Sequence, residues 1–420
     1  MSPRLAIDGG ERAVKTPLPP MFPGGMRIGI EEERAVLNVL RSKRLFRYYG
    51  PAPGPSQTDL FEQEFAAHMG AAYALAVSSG TAALMCAMAS LGIGPGDEVI
   101  VPAYTWIATA SAAVALGAVP VIAEIDESLT LDPADVECHI NSHTRAIVAV
   151  HMRGSPCQMD ALTEIAHRRG VALIEDVAQA AGASFHDKRL GTWGNVGAFS
   201  LQFNKIMTSG EGGVLLTNNH ALYKRAIMYH DVVGGYRHHI PPDEILPGVN
   251  FRMSELQAAV ALAQLGKLEG VLADMRCNHA AIVERIADRV QASGAMLRRL
   301  HDPAGDAGLA LVLLLPTAER ARWAVDALRA EGVGAMALYR PDIEDYHVYC
   351  YWAPIMNRKT WSEQGDPWRW APRVVEYAHD MCPRSLDLLS RSVHIDISPD
   401  LSESQIEEVA DALKKVLEAL

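Results

Sequence analysis

Cysteine is scarce and scattered in this chain: six in 420 residues, at 86, 138, 157, 277, 350 and 382, without a Cys-x-x-Cys pair. That spacing excludes a cysteine-built metal centre and a disulfide framework, and it fits reduced thiols in a cytoplasmic protein. Long apolar runs are missing as well. None approaches the ~18 residues that a membrane span needs. The opening MSPRLAIDGGERAV lacks the positive-then-apolar order of an export signal, so neither export nor membrane embedding is expected. Excess positive charge is also absent. With 38 Lys+Arg against 50 Asp+Glu the net charge is −12, which repels a phosphate backbone or an anionic bilayer and excludes nucleic acid and membranes as expected partners. No internal repeat or low-complexity tract is visible. What remains is the composition of a folded protein, 49% hydrophobic and 21% charged. At ~100–200 residues per domain, the length predicts two domains.

From about residue 57 to 220, short apolar runs alternate with helical patterns, and Gly, Pro, Ser or Asp marks each junction. This is the rhythm of βαβ units. Strands are predicted at 74–77, 98–101, 120–125, 146–150, 172–175, 197–201 and 213–217, with helices over 81–91, 107–116 and 160–169. A second region opens near Ser254 with a long helical pattern broken near Gly270. It continues with strands at 309–315, 333–339 and 393–397, a helix over 318–330 and a final helix from about Glu403, capped by Ser402 or Ser404. Between them, Pro341–Arg391 is rich in Tyr, Trp, Pro and His and reads as a long irregular insertion, a kind of segment that is usually functional. The expected division is therefore an N-terminal segment 1–56, a large domain 57–265 and a small α+β domain 266–420 carrying that insertion.

Gly92, Gly94 and Gly96 invite a dinucleotide reading, but they precede a strand instead of following one, and the reading fails. Three other features carry chemistry. Ser78-Ser79-Gly80-Thr81 joins a strand to a helix; its free N–H groups and hydroxyls suit a phosphate monoester, or Ser79 is an ordinary helix cap. Asp176 ends an apolar strand, where a carboxylate can hold a positive charge such as a protonated pyridine nitrogen, or it is a surface-loop acid. Lys205 follows a strand and precedes a glycine-rich turn, where its amine would be a desolvated nucleophile, or it is a solvated charge. In combination these are the parts that pyridoxal 5'-phosphate (PLP) requires: a phosphate cradle, an acid for the pyridine nitrogen and a Schiff-base lysine.

Four ordered segments, SSGTAAL (78–84), EDVAQAAGA (175–183), FSLQFNK…TSGEGG (199–213) and GVNFRMSELQAA (248–259), resemble the DegT/DnrJ/EryC1/StrS family of sugar and aminocyclitol aminotransferases. The resemblance runs from LAIDGG to the closing helix. It implies an α/β protein with the fold type I architecture of PLP-dependent transferases. That architecture has a large domain with a mixed, mostly parallel seven-stranded sheet, a smaller C-terminal α+β domain, and a homodimer with shared active sites. By the same resemblance, Lys205 would bind the cofactor covalently and shuttle protons, and Asp176 would partner the pyridine nitrogen. Gln179 would lie near the ring oxygen, where relatives often have His. Ser79, Gly80, Thr81 and Ser200 would cradle the phosphate, Trp106 would stack on the ring or else lie in the core, and Asn250 would reach the phosphate of the other subunit or else form a turn.

Related sugar dehydratases replace the lysine by histidine, so Lys205 implies transamination. The expected reaction is ping-pong, with glutamine or glutamate as donor. The segments 347–361 and 382–397 resemble the subgroup acting on keto-cyclitols of the scyllo-inosose type, as in aminoglycoside biosynthesis. A nucleotide-linked keto-sugar as acceptor, or a non-transaminating PLP enzyme, is the alternative. Tyr49, Arg237, His238 and His239 are candidate substrate contacts. Arg153 would bind a carboxylate or lie at the surface. Adjacent histidines rarely share a metal, and no metal site is expected.

Overall fold

The computed structural model describes residues 4–340 and 342–420. Pro341, where the aromatic insertion was expected to begin, lies outside the described residues. A seven-stranded sheet forms the large unit from β1 (Tyr73–Val77), β2 (Glu98–Pro102), β3 (Val119–Ala123), β4 (Thr144–Val150), β5 (Ala172–Asp176), β6 (Val196–Ser200) and β7 (Gly213–Thr217). The spatial order is β1-β7-β6-β5-β4-β2-β3. Only β7 runs antiparallel to its neighbours, so the sheet is mixed and mostly parallel.

These strands are apolar throughout because both faces are covered. In β1, Ala74 and Ala76 enter one hydrophobic core while Leu75 and Val77 enter the other. Helix α1 (Gln57–Met69) backs one face, and α2 (Gly80–Ser90) backs the other.

The smaller unit has an antiparallel sheet of four strands, β8 (Met296–Leu297), β9 (Ala310–Leu314), β10 (Ala335–Met336) and β11 (Ser392–Asp396), in the order β8-β9-β11-β10. The expected strand 333–339 shrinks to β10 because Val333 N–H is used to close the preceding helix on Leu328 O at 2.9 Å. The final helix, Glu403–Glu418, is capped by Ser402, whose hydroxyl and the Gln405 side chain satisfy each other's backbone N–H groups. The third core belongs to this unit, and Leu5 and Val14 of the N-terminal segment complete it. Glu331 fixes that segment by accepting from Ala6 N–H and Ala13 N–H, each at 2.8 Å, and from Lys415 Nζ at 2.7 Å.

Two boundaries differ from expectation. The long helical pattern breaks at Gly266-Lys267, between Glu255–Leu265 and Leu268–Ser293, and Gly270 lies inside the second helix. The aromatic stretch is irregular only to about Met381; PRSLDLLSR then forms the helix Pro383–Arg391, whose Leu386, Leu388 and Leu389 are buried. The irregular part is nonetheless packed, with Tyr349 and Trp352 fully buried in the core that also covers the large sheet.

A Cβ at exposed Gly270 would meet nothing within 4 Å. Gly270→Ala should therefore stabilise the protein by about 0.5 kcal/mol through helix propensity. A lowered thermal midpoint would place the helix break at 270 after all.

Candidate active site

The parallel strands β1, β5 and β6 end at one edge of the sheet, the edge where open α/β sheets leave a crevice. Each delivers one element of a cavity of about 380 Å³: the start of α2 after β1, Asp176 from β5 and Ser200 from β6. Lys205 closes the cavity from the turn after β6, which is anchored by Lys205 N–H to Gln202 O at 2.9 Å and Gly24 N–H to Lys205 O at 3.1 Å. A smaller lobe of about 260 Å³ adjoins it and shares Lys205, Gln179, Asn204 and His347.

The start of α2 lies directly on the strand ends. A Cβ at Gly80 would stand 2.7 Å from Ser200 Cβ, and one at Gly213 would stand 2.3 Å from Ser79 O. Glycine is required at both positions for this approach, which brings the Ser200 hydroxyl beside the helix N-terminus. Ser79 Oγ caps the helix by accepting from Ala82 N–H at 3.0 Å. The first N–H groups of a helix have no intrahelical acceptor, so Gly80 and Thr81 face the cavity as an anion cradle.

Asp176 is 5% exposed. Its carboxylate accepts from Thr109 Oγ1 at 2.9 Å and from Ala178 N–H at 3.1 Å, and Thr109 is linked in turn to Thr105 at 2.8 Å. Burial pushes its pKa above the usual carboxylate range, against those hydrogen bonds and the nearby Lys205 charge. Burial lowers the Lys205 pKa; the Asp176 charge opposes this shift and the Arg153 charge adds to it. Both groups are thereby driven toward their neutral forms. At a given pH a lysine with a lowered pKa holds more of its amine in the neutral, nucleophilic form than an exposed lysine does.

Trp106 is 48% exposed and flanks the cavity, so it is no core residue; its ring centroid is 5.0 Å from that of His347. Gln179 Oε1 accepts from Arg153 N–H at 2.9 Å, which fixes the amide between the lobes. Arg153 points into the smaller lobe and is paired with Asp396.

Tyr49, Arg237, His238, His239 and Asn250 are not brought to this cavity. Arg237 instead stacks 4.3 Å from the Tyr48 ring centroid and pairs with Asp231 at 3.3 Å. Tyr49 is 70% exposed, and Asn250 is exposed in a turn where Oδ1 accepts from Arg252 N–H at 3.4 Å.

Sequence reasoning did not single out Thr109, His347 or Asp396. Thr109 stands three residues after Trp106, on the same side of a helical turn. Asp396 was visible as an acid in the apolar run VHIDI.

The cavity fits PLP: an amine, a buried acid and an anion cradle face one volume, and the cradle exists only because Gly80 has no Cβ. Residues 27–360 match the model of the DegT/DnrJ/EryC1/StrS aminotransferase family. An L-glutamine:2-deoxy-scyllo-inosose aminotransferase of Streptomyces kanamyceticus is 42% identical over 280 residues, 64% of this chain and 64% of that protein. The chain thus spans under two thirds of that relative's length. A protein of the same name from Micromonospora echinospora is 39% identical over 326 residues, covering 72% of this chain and 74% of that one. The crystal structure of 3-amino-5-hydroxybenzoic acid synthase superposes with a TM-score of 0.79 at 28% identity, over 97% of this chain and 100% of that one. The chain has the fold type I architecture and belongs to the DegT/DnrJ/EryC1/StrS aminotransferase family.

Proposed function

We propose that this protein is a PLP-dependent aminotransferase that moves the amino group of L-glutamine or L-glutamate to a keto-cyclitol of the scyllo-inosose type. The observation that carries the reading is the single cavity into which Lys205, Asp176 and the N-terminus of α2 all face. When bound, the cofactor supplies an electron sink that stabilises negative charge at the donor's α-carbon. The rest is the work of the chain. Asp176 holds the positive charge of the pyridine nitrogen, with Thr109 and Ala178 N–H fixing its orientation. Gly80 and Thr81, with the hydroxyls of Ser79 and Ser200, bind the phosphate. Trp106 and Gln179, which line the same cavity, would hold the ring. Lys205 Nζ would hold the cofactor and is the base placed to move the donor's α-proton.

The keto-cyclitol is favoured over a nucleotide-linked sugar by the relatives described above, which are named for 2-deoxy-scyllo-inosose. Arg153 is the sole guanidinium among the residues lining the two lobes. We further propose a cytoplasmic homodimer. Asn250, Tyr49, Arg237, His238 and His239, which line neither lobe of their own chain, would complete the partner's phosphate and substrate sites, and Val232 and Tyr236 beside Arg237 in sequence are 54% and 64% exposed.

Purified protein with PLP should absorb in the visible, and glutamine or glutamate without acceptor should bleach that band. Lys205→Ala should abolish both effects. If no amino donor discharges the band, transamination is wrong. The rate of cofactor uptake should rise with pH as Lys205 loses its proton, with a midpoint below that of an ordinary lysine. Since the Asp176 charge favours the ammonium form, Asp176→Asn should move the midpoint lower still; a rise would contradict the electrostatic coupling. Gly80→Ala should weaken PLP binding by roughly 10-fold or more, because its Cβ displaces Ser200 from the cradle.

A further inference from the structure

Arg153 and Asp396 meet across the smaller lobe from different units of the fold. Arg153 stands in the turn after β4 with φ at 55°, and Asp396 ends β11. Their side chains are 17% and 32% exposed. Arg153 Nη2 is engaged by Asp396, whereas its Nε is buried without a hydrogen-bond partner among the described residues. A donor edge of this guanidinium is therefore unspent. Other charged groups nearby are already committed. Arg298 donates to Met152 O and Arg153 O, each at 3.2 Å, and pairs with Asp306 at 3.4 Å. The ring of His347 is bonded through Nδ1 to Asp345 at 2.7 Å.

On the aminotransferase reading above, one lobe admits first an amino acid and then an uncharged, hydroxyl-rich ketone. A fixed, unpaired arginine would suit the first substrate and leave a costly bare charge beside the second. A permanently neutralised arginine would do the reverse. We propose that Arg153 and Asp396 form an exchangeable ion pair. Arg153 binds the α-carboxylate of the amino donor in place of Asp396, and Asp396 returns to Arg153 and accepts hydroxyls when the neutral acceptor is bound. The planar guanidinium matches a carboxylate in two-pronged fashion, and the free Nε supplies the second prong. Asp396 can be released at low cost because it keeps access to water when displaced.

The test is calorimetric titration of the PLP-free protein with glutarate, a carboxylate probe, and with glutaramide, its neutral analogue. Phosphate buffer keeps the cradle at Ser79–Thr81 from competing. Arg153→Met should weaken glutarate binding by roughly 10-fold or more and leave glutaramide unaffected, and Arg153→Lys should recover part of the loss. Asp396→Asn should tighten glutarate binding several-fold by freeing the guanidinium. Glutarate binding that is unchanged in Arg153→Met, or weaker in Asp396→Asn, overturns the proposal. Should Arg153→Met fail to fold, the Asp396→Asn titration decides alone. Glutamine bleaching of the PLP-loaded protein reads the function separately: the expected titrations without donor turnover would sink the aminotransferase reading and leave the ion pair standing. Turnover with unmoved titrations would do the opposite.

Discussion

The shared desolvation of Lys205 and Asp176 is the constraint on which the rest of the site depends. A charge removed from water costs several kcal/mol unless it is paired and hydrogen-bonded. The protein places an acid and an amine in one cavity and satisfies the acid with Thr109 and Ala178 N–H. Burial shifts both toward neutrality, which frees the Lys205 amine to react, whereas Asp176 gains its charge from a cation brought beside it.

Building that cavity requires both units and the N-terminal segment. Gly24 N–H holds the turn that carries Lys205, while Glu331 holds the start of the same segment against the smaller unit. Residues from the aromatic stretch reach in from the far side: Thr105 N–H donates to His347 O at 2.9 Å, and Tyr349 N–H donates to Ala103 O at 3.0 Å. The stretch is irregular in backbone but fixed by burial, which is how a loop can present His347 to both lobes.

Adjacent acids on β5 show how the sheet allots opposite tasks. Glu175 points to the other face and accepts N–H bonds from Gly191 and Trp193 at 2.7 Å and from Gly194 at 2.8 Å. His151 Nδ1 accepts from Cys157 N–H at 3.1 Å, so Nε2 carries the proton toward Glu175 at 3.3 Å. One carboxylate organises a buried loop, and its neighbour faces the cavity; the two-residue period of the strand separates them.

The sequence by itself determined the strands, because a parallel sheet buried on both faces demands apolar runs, and it exposed the strand-end motifs around Ser79, Asp176 and Lys205. It also narrowed the final cap to Ser402 or Ser404, between which the structure chose Ser402. It was less informative where distant contacts compete with local signals. Gly270 looks like a break but is tolerated inside a helix, and PRSLDLLSR is helical because its leucines find a core. Whether Arg153 met solvent or an acid depended on a strand more than two hundred residues away, and only tertiary structure brought Asp396 to it. The same holds for Gly80, whose necessity is the approach of Ser200, and for Trp106, which flanks a cavity that no local pattern records. Periodicity and caps are properties of neighbours in sequence, whereas a cavity is made by residues that meet only when the chain has folded.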